Sequence, residues 1–137
     1  MKLTSLYLLA AFALLLPLVA GAQLSVMVSP VNAEGNKAVV KLNFKNDLTN
    51  AVESARASVY LFNGDKVVSQ ETRWVIGGAK DKPSLAPGAT NSFFFVLSSD
   101  KPFPRTNLTA KVKINRLVLE GGRLGDASKD VSVSSRK

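Results

Sequence analysis

The chain has 137 residues, no cysteine, no histidine and a formal net charge of +8. Without cysteine there is no thiol nucleophile, no disulfide and no thiolate-bound metal, and without histidine the commonest general base and transition-metal ligand are gone. Eighteen basic against ten acidic residues suit anionic partners (lipid headgroups, phosphorylated glycans, extracellular nucleic acid) or serve solubility alone.

Residues 1–22 have the layout of a secretory signal peptide. Met1 and Lys2 form a short positive start. Leu3 to Val19 is apolar except for Thr4, Ser5, Tyr7 and Pro17, and Ala20-Gly21-Ala22 offers small residues for cleavage before Gln23. A membrane-anchoring helix is the rival, but it needs roughly 20 apolar residues, and Pro17 breaks this run near its end. With no cysteine nearby, lipid attachment is excluded. The expected mature protein is one extracytoplasmic domain, residues 23–137, periplasmic or secreted, with no membrane-spanning segment. It loses Lys2 and keeps a charge of +7.

From Gln23 onward hydrophobicity has a period of two, the mark of half-buried strands. Leu24, Val26 and Val28 alternate with Ser25, Met27 and Ser29, and Pro30 ends the run. After Glu34-Gly35-Asn36, Ala38, Val40, Leu42 and Phe44 continue the pattern. Thr49 to Arg56 is the best helix candidate, but it is short and reads as a loop entering the next strand. Ala57, Val59 and Leu61 follow, then Asn63-Gly64-Asp65, a hairpin signal. Lys66 to Ile76 is a β-branched run. Pro87-Gly88 suits a type II turn ahead of Asn91 to Leu97. Leu108, Ala110, Val112 and Ile114 alternate, but Leu117 and Leu119 fall in the other phase, which predicts a bulge near Asn115-Arg116. Gly121-Gly122 ends that strand, Val131 and Val133 make a last one, and Ser134 to Lys137 is expected to fray. About seven short strands with regular turns imply an all-β, immunoglobulin-like sandwich.

Three landmarks resemble the FxLYD domain, a bacterial immunoglobulin-like module of the cell envelope. They are a strand ending in Asn46, the strand Val59-Tyr60-Leu61-Phe62-Asn63, and Leu85-Ala86-Pro87-Gly88 before the aromatic strand with Phe93 and Phe95. The resemblance spans roughly Val39 to Val96 by landmark spacing. Val59, Phe62 and Asn63 stand where the family has Phe, Tyr and Asp. The resemblance implies a structural or interaction module outside the cytoplasm, without a catalytic role.

No motif carries an active site. Ser98-Ser99-Asp100-Lys101 is an S-x-x-K without its companion motifs. Gly77-Gly78-Ala79-Lys80 lacks the end of a phosphate loop. Glu53, Asp65, Glu71, Asp81, Glu120, Asp126 and Asp130 are scattered as surface charges, and a pair spanning a glycosidase cleft is not evident. Asp126 and Asp130, with Asp47, are too sparse for calcium. Asn107-Leu108-Thr109 is a glycosylation sequon by chance. No catalytic, cofactor or metal residues are therefore expected.

Two surface features remain. Lys37, Lys41 and Lys45 share one face of a strand, and Lys111 and Lys113 another. In an immunoglobulin-like topology these strands lie in opposite sheets, so the lysines form no single groove, and nucleic-acid recognition would need aromatic residues interleaved with them. Alternation turns Phe94 away from Phe93 and Phe95, and Tyr60 and Phe62 away from Val59 and Leu61. An exposed Phe94, or the single tryptophan Trp74 beside Tyr60 and Phe62, offers an interaction surface, unless a loop such as Gly77 to Ser84 folds over them. The expected function is a non-enzymatic exported module that binds another envelope protein or supports an assembly, with no cofactor and no specific nucleic acid. The alternative is binding of an anionic polymer or glycan through the basic surface.

Overall fold

The computed structural model describes residues 22–136. The expected signal peptide, apart from Ala22, lies outside the described residues. Among the described residues, nine strands form two sheets packed face to face. They are β1 (Leu24–Val28), β2 (Asn32–Glu34), β3 (Lys37–Asn46), β4 (Val52–Asn63), β5 (Lys66–Ile76), β6 (Thr90–Ser98), β7 (Leu108–Leu119), β8 (Arg123–Leu124) and β9 (Val131–Ser135).

The first sheet contains β6, β3, β1 with β2, and β9; the second runs β5-β4-β7-β8. The first, second and fifth long strands thus share one sheet and the third, fourth and sixth the other, as in immunoglobulin-like sandwiches. The last strand departs from that scheme. On the side of β7 away from β4 only the two-residue β8 pairs, and β9 crosses to pair in parallel with β1.

Seven strands are long, as the alternation predicts, and two are short additions. β2 continues β1 beyond Pro30 along the same edge of β3, with the register slipping by one residue between them. A prolyl nitrogen cannot join the ladder, so the slip falls where a bond is already absent. The tail is a correction: Ser134 and Ser135 pair with Met27 and Val28, and Arg136 N–H donates to Val28 O, rather than fraying.

The predicted bulge is present. Ala57 pairs with Ile114 but Arg56 pairs with Arg116, leaving Asn115 as the extra residue of β7. This lets Ile114, Leu117 and Leu119 all reach the core. The Asn63-Gly64 signal marks a hairpin, but its loop is Gly64-Asp65, because Asn63 still pairs with Lys66. Of these two loop residues only Gly64 has a positive φ, which fits a II′ turn rather than the I′ that Asn-Gly favours.

The core lies between the sheets. Ala38, Val40, Leu42 and Phe44 of β3 and Phe95 and Leu97 of β6 meet Ala55, Ala57, Val59 and Leu61 of β4. All are buried because alternate side chains of a strand face one way.

One loop ties the two sheets together. Ala89 N–H donates to Ala86 O at 3.0 Å, closing the expected type II turn with Gly88 at φ +79. Just before it, Leu85 exchanges two main-chain hydrogen bonds with Val52 at the start of β4. Asn46, at the end of β3, grips the same segment from the other sheet. Its Nδ2 donates to Asn50 O at 2.9 Å and Leu85 O at 3.0 Å, and its Oδ1 accepts from Leu48 N–H at 2.9 Å. Asn46 is fully buried, and its main chain bonds Gly88 and Ala89 as well.

Candidate functional site

The outer face of the four-stranded sheet brings together the residues of greatest chemical interest. Strand alternation turns Arg56, Ser58, Tyr60 and Phe62 of β4 outward. Registered with them are Gln70, Thr72 and Trp74 of β5 and Thr109, Lys111, Lys113 and Arg116 of β7. Trp74, Arg56 and Arg116 form one cross-strand row, Thr72, Ser58 and Lys113 the next, and Gln70, Tyr60 and Lys111 a third. None of the chain's ten acidic residues stands at an outward position in these rows. Glu71, the nearest in sequence, is in the opposite phase and pairs with Arg73 at 3.3 Å.

Cations and rings alternate on this face. The Arg56 guanidinium lies 5.7 Å from the Trp74 ring centre, and Lys111 Nζ lies 4.9 Å from that of Phe62. Such contacts hold long cationic side chains flat against aromatic surface and leave N–H groups facing water. Aromatic and basic residues are thus interleaved on this face.

The centre of the face is joined by side-chain hydrogen bonds across three strands. Ser58 is buried, and its Oγ lies 2.7 Å from Thr72 Oγ1 and accepts from Asn115 Nδ2 at 2.6 Å. The bulge residue Asn115 thus reaches back to β4. Three polar side chains on three strands satisfy one another beneath the charged groups, which limits shear of the face.

The loop from Gly77 to Ser84 covers part of this site and no more. Gly78 packs on Trp74: a Cβ there would lie 2.4 Å from Trp74 Cδ2, and its φ is +76. Lys82 Nζ donates to Trp74 O at 2.6 Å and sits 4.0 Å from the Phe93 ring centre. Burial is the main cause holding the Lys82 ammonium below its ordinary pKa; Asp81 opposes the shift and Arg73 adds to it. Gly78→Ala is expected to destabilise the fold by about 2 kcal/mol, through left-handed strain and displacement of the ring. Since Trp74 is the only tryptophan, its emission should shift with the substitution, and an unchanged spectrum would show that the ring does not rest on Gly78.

The remaining sequence-selected residues lie on the other sheet. Lys37, Lys41 and Lys45 point outward from β3, and Phe94 points outward from β6, opposite Lys41. Lys41 Nζ is 5.5 Å from the Phe94 ring centre, yet Phe94 remains 58% exposed. The lysines of β3 and β7 therefore face opposite directions, and Phe94 is separated from Tyr60, Phe62 and Trp74 by the thickness of the sandwich. A shallow depression of about 630 Å³ lies on this outer face, lined in part by Met27, Asn43, Lys45 and Ser92. Ser25, Thr90, Asn91 and Ser134 complete its polar lining, and no carboxylate is among the lining residues.

Arg56 and Arg116 are absent from the sequence-selected residues although they occupy one row. Arg116 was legible: carrying the predicted bulge through to the next residue places it in phase with Lys113. Arg56 was hidden because β4 begins at Val52, inside the stretch taken for a loop.

The candidates for chemistry are dispersed. Ser98 ends a strand instead of opening a helix, and its carbonyl accepts from Ser69. Asp126 caps a single helical turn through Ser128, whose hydroxyl and N–H lower the Asp126 pKa, and Asp130 accepts from Asp126 N–H. Among the described residues no helix is long and apolar enough to cross a membrane. No family model and no curated protein matches this chain.

Proposed function

We propose that this is a non-enzymatic, extracytoplasmic β-sandwich that binds an anionic polysaccharide on the outer face of its four-stranded sheet. The observation that carries the reading is the acid-free array in which Arg56 lies against Trp74 and Lys111 against Phe62. Rings offer flat apolar surface to sugar faces, and the flanking cations suit carboxylate, sulfate or phosphate substituents. Lys113 and Arg116 extend the positive surface along β7.

Two further observations fit the reading of an exported domain that resembles FxLYD. Gln23, the expected new N-terminus, is held by the domain: its carbonyl accepts from Asp47 N–H and its side chain donates to Lys129 O. Asn46 and Leu85-Ala86-Pro87-Gly88, two landmarks of the resemblance, bond directly to each other.

The test uses dextran sulfate, neutral dextran and a single-stranded oligothymidylate as probes. Binding to dextran sulfate is expected to weaken by roughly tenfold or more between about 50 and about 500 mM salt, with neutral dextran bound weakly or not at all. No binding to dextran sulfate at low salt would overturn the proposal. Tighter binding to the oligonucleotide would move the ligand class to nucleic acid.

A second reading is a protein-interaction module. It is favoured by Phe94, Val96 and Met27, all exposed on the other sheet.

A further inference from the structure

The free edge of β6 carries an inference about a surface separate from the basic face. β6 pairs with β3 along one side, in unbroken register from Lys45 opposite Thr90 to Lys37 opposite Ser98. Among the described residues no strand pairs with its other side.

Natural sheet edges are usually protected by charge, proline or bulges. Two other long edges are protected: β5 has all but proline, with Lys66, Glu71 and Arg73 on it and two register slips against β4, and β7, open from Leu108 to Arg116, carries Lys111, Lys113 and Arg116. β6 reads Thr-Asn-Ser-Phe-Phe-Phe-Val-Leu-Ser, with no charge, proline, glycine or register slip.

The direction of its main-chain groups follows from its neighbours. In an antiparallel strand, a residue's N–H and C=O point to one side and those of the next residue to the other. Ala89 O accepts from Asn46 and Ser99 N–H donates to Asn36 O, so odd-numbered residues face β3. Ser92 N–H instead meets the Asn91 side chain, and Ser98 O meets Ser69 of β5, so even-numbered residues face the open side. Phe94 and Val96, at the middle of that side, have no described main-chain partner there. Their side chains are 58% and 47% exposed.

We infer that β6 pairs with β6 of a second copy, antiparallel about a two-fold axis at Phe94, to make one continuous sheet across two molecules. The nine-residue strand is centred on Phe94, so this register uses its whole length. Phe94 meets Phe94 of the second copy, Ser92 meets Val96, Phe93 meets Phe95, and Thr90 meets Ser98. Pairs that exchange hydrogen bonds must both be open-side residues, which this register satisfies. It forms about four main-chain bonds from free groups of Phe94, Val96 and Ser92 O, and two more when each Ser92 N–H exchanges the Asn91 side chain for Val96 O of the second copy. The two Phe94 rings make a cross-strand aromatic pair on the outer face.

Charge does not oppose the pairing. No residue of β6 is charged, and the Lys41 residues of the two copies would stand about 14 Å apart, beyond the screening length of about 8 Å. Arg73 and Lys82 flank Phe93 to Val96 from the β5 side and remain at the rim. A nine-residue edge buries less than the roughly 800 Å² per partner of a standard interface, so the dimer is expected to be concentration-dependent.

The experiment is sedimentation equilibrium on residues 23–137, which contain the whole described core, from about 5 µM to about 0.5 mM. Wild type should shift from monomer to dimer within this range. Val96→Pro removes only an open-side N–H and leaves the β3 ladder intact, so it should be monomeric with a native circular dichroism spectrum. The register is tested separately, since the chain has no cysteine. Phe94→Cys should form a dimer disulfide on mild oxidation, its Cα atoms lying about 5.5 Å apart. Ser92→Cys should not, because its counterpart lies about 13 Å away. A monomeric wild type at the highest concentration would overturn the inference. So would a dimer that survives Val96→Pro, or cross-linking of Ser92→Cys as fast as that of Phe94→Cys.

Discussion

Asn46→Asp is expected to destabilise the domain by about 4 kcal/mol at neutral pH, a large part of the 5–15 kcal/mol that holds a domain together. The Asn46 amide nitrogen donates to two carbonyl oxygens, of Asn50 and Leu85, in a site closed to solvent. A carboxylate there replaces both donors with a negative charge facing two acceptors. Asn46→Ala is milder, at about 2–3 kcal/mol. Leu85 O keeps its bond from Val52, and the half-buried Leu48 and Asn50 can draw on water. The pH dependence separates the two variants. Burial beside carbonyl oxygens favours the protonated form of the introduced acid, which can still donate one hydrogen bond. Its folded-state affinity for a proton then exceeds the unfolded one. Its deficit is therefore smallest below the ordinary carboxylate range of about pH 4 and grows as pH rises. Urea unfolding at acid and neutral pH checks this. A deficit equal to that of Asn46→Ala at both would show that a carboxylate facing the Asn50 and Leu85 carbonyls adds no penalty of its own.

Much of the fold was legible because its signals are local. Alternation in β3 and β6, the Pro87-Gly88 turn and the phase change after Ile114 each depend on a few neighbouring residues and the two-residue period of a strand. What was not legible depends on tertiary partners. Ser134 and Ser135 look like a polar tail, and only β1 beside them makes them a strand. Ser58 looks like an exposed serine until Thr72 and Asn115 close over it. The joining of Asn46 to Leu85 spans 39 residues, and neither residue alone announces the other.

The candidate site was half legible for the same reason. Tyr60, Phe62, Lys111 and Lys113 follow from alternation within their own strands. Their assembly into rows with Trp74 and Arg56 depends on the register between strands, which two bulges on β5 and one on each of β4 and β7 adjust. The grouping by residue type, lysines in one set and aromatics in another, also concealed the site. The sheets divide these residues by face instead, and each face takes some of both.

Removing three charges from each face in turn should separate local recognition from net charge. One variant carries Arg56→Gln, Lys111→Gln and Arg116→Gln; the other carries Lys37→Gln, Lys41→Gln and Lys45→Gln. Both lose the same charge, so long-range attraction to dextran sulfate falls equally. The first is expected to lose roughly 30- to 100-fold in affinity, from three contacts of somewhat under 1 kcal/mol each. The second should lose no more than about threefold, the share of net charge alone at a separation screened by salt. Equal losses would mean that the polymer reads overall charge, and the basic-aromatic face would have no special part. Trp74→Ala adds the complementary measurement. Loss of a stacked ring is worth about 1–3 kcal/mol where aromatic rings carry the contact, and it removes no charge. Its affinity should therefore fall while the dependence on salt keeps its slope, whereas the Arg56, Lys111 and Arg116 variant should flatten that slope. Only a site in which rings and cations act together yields both results from one face.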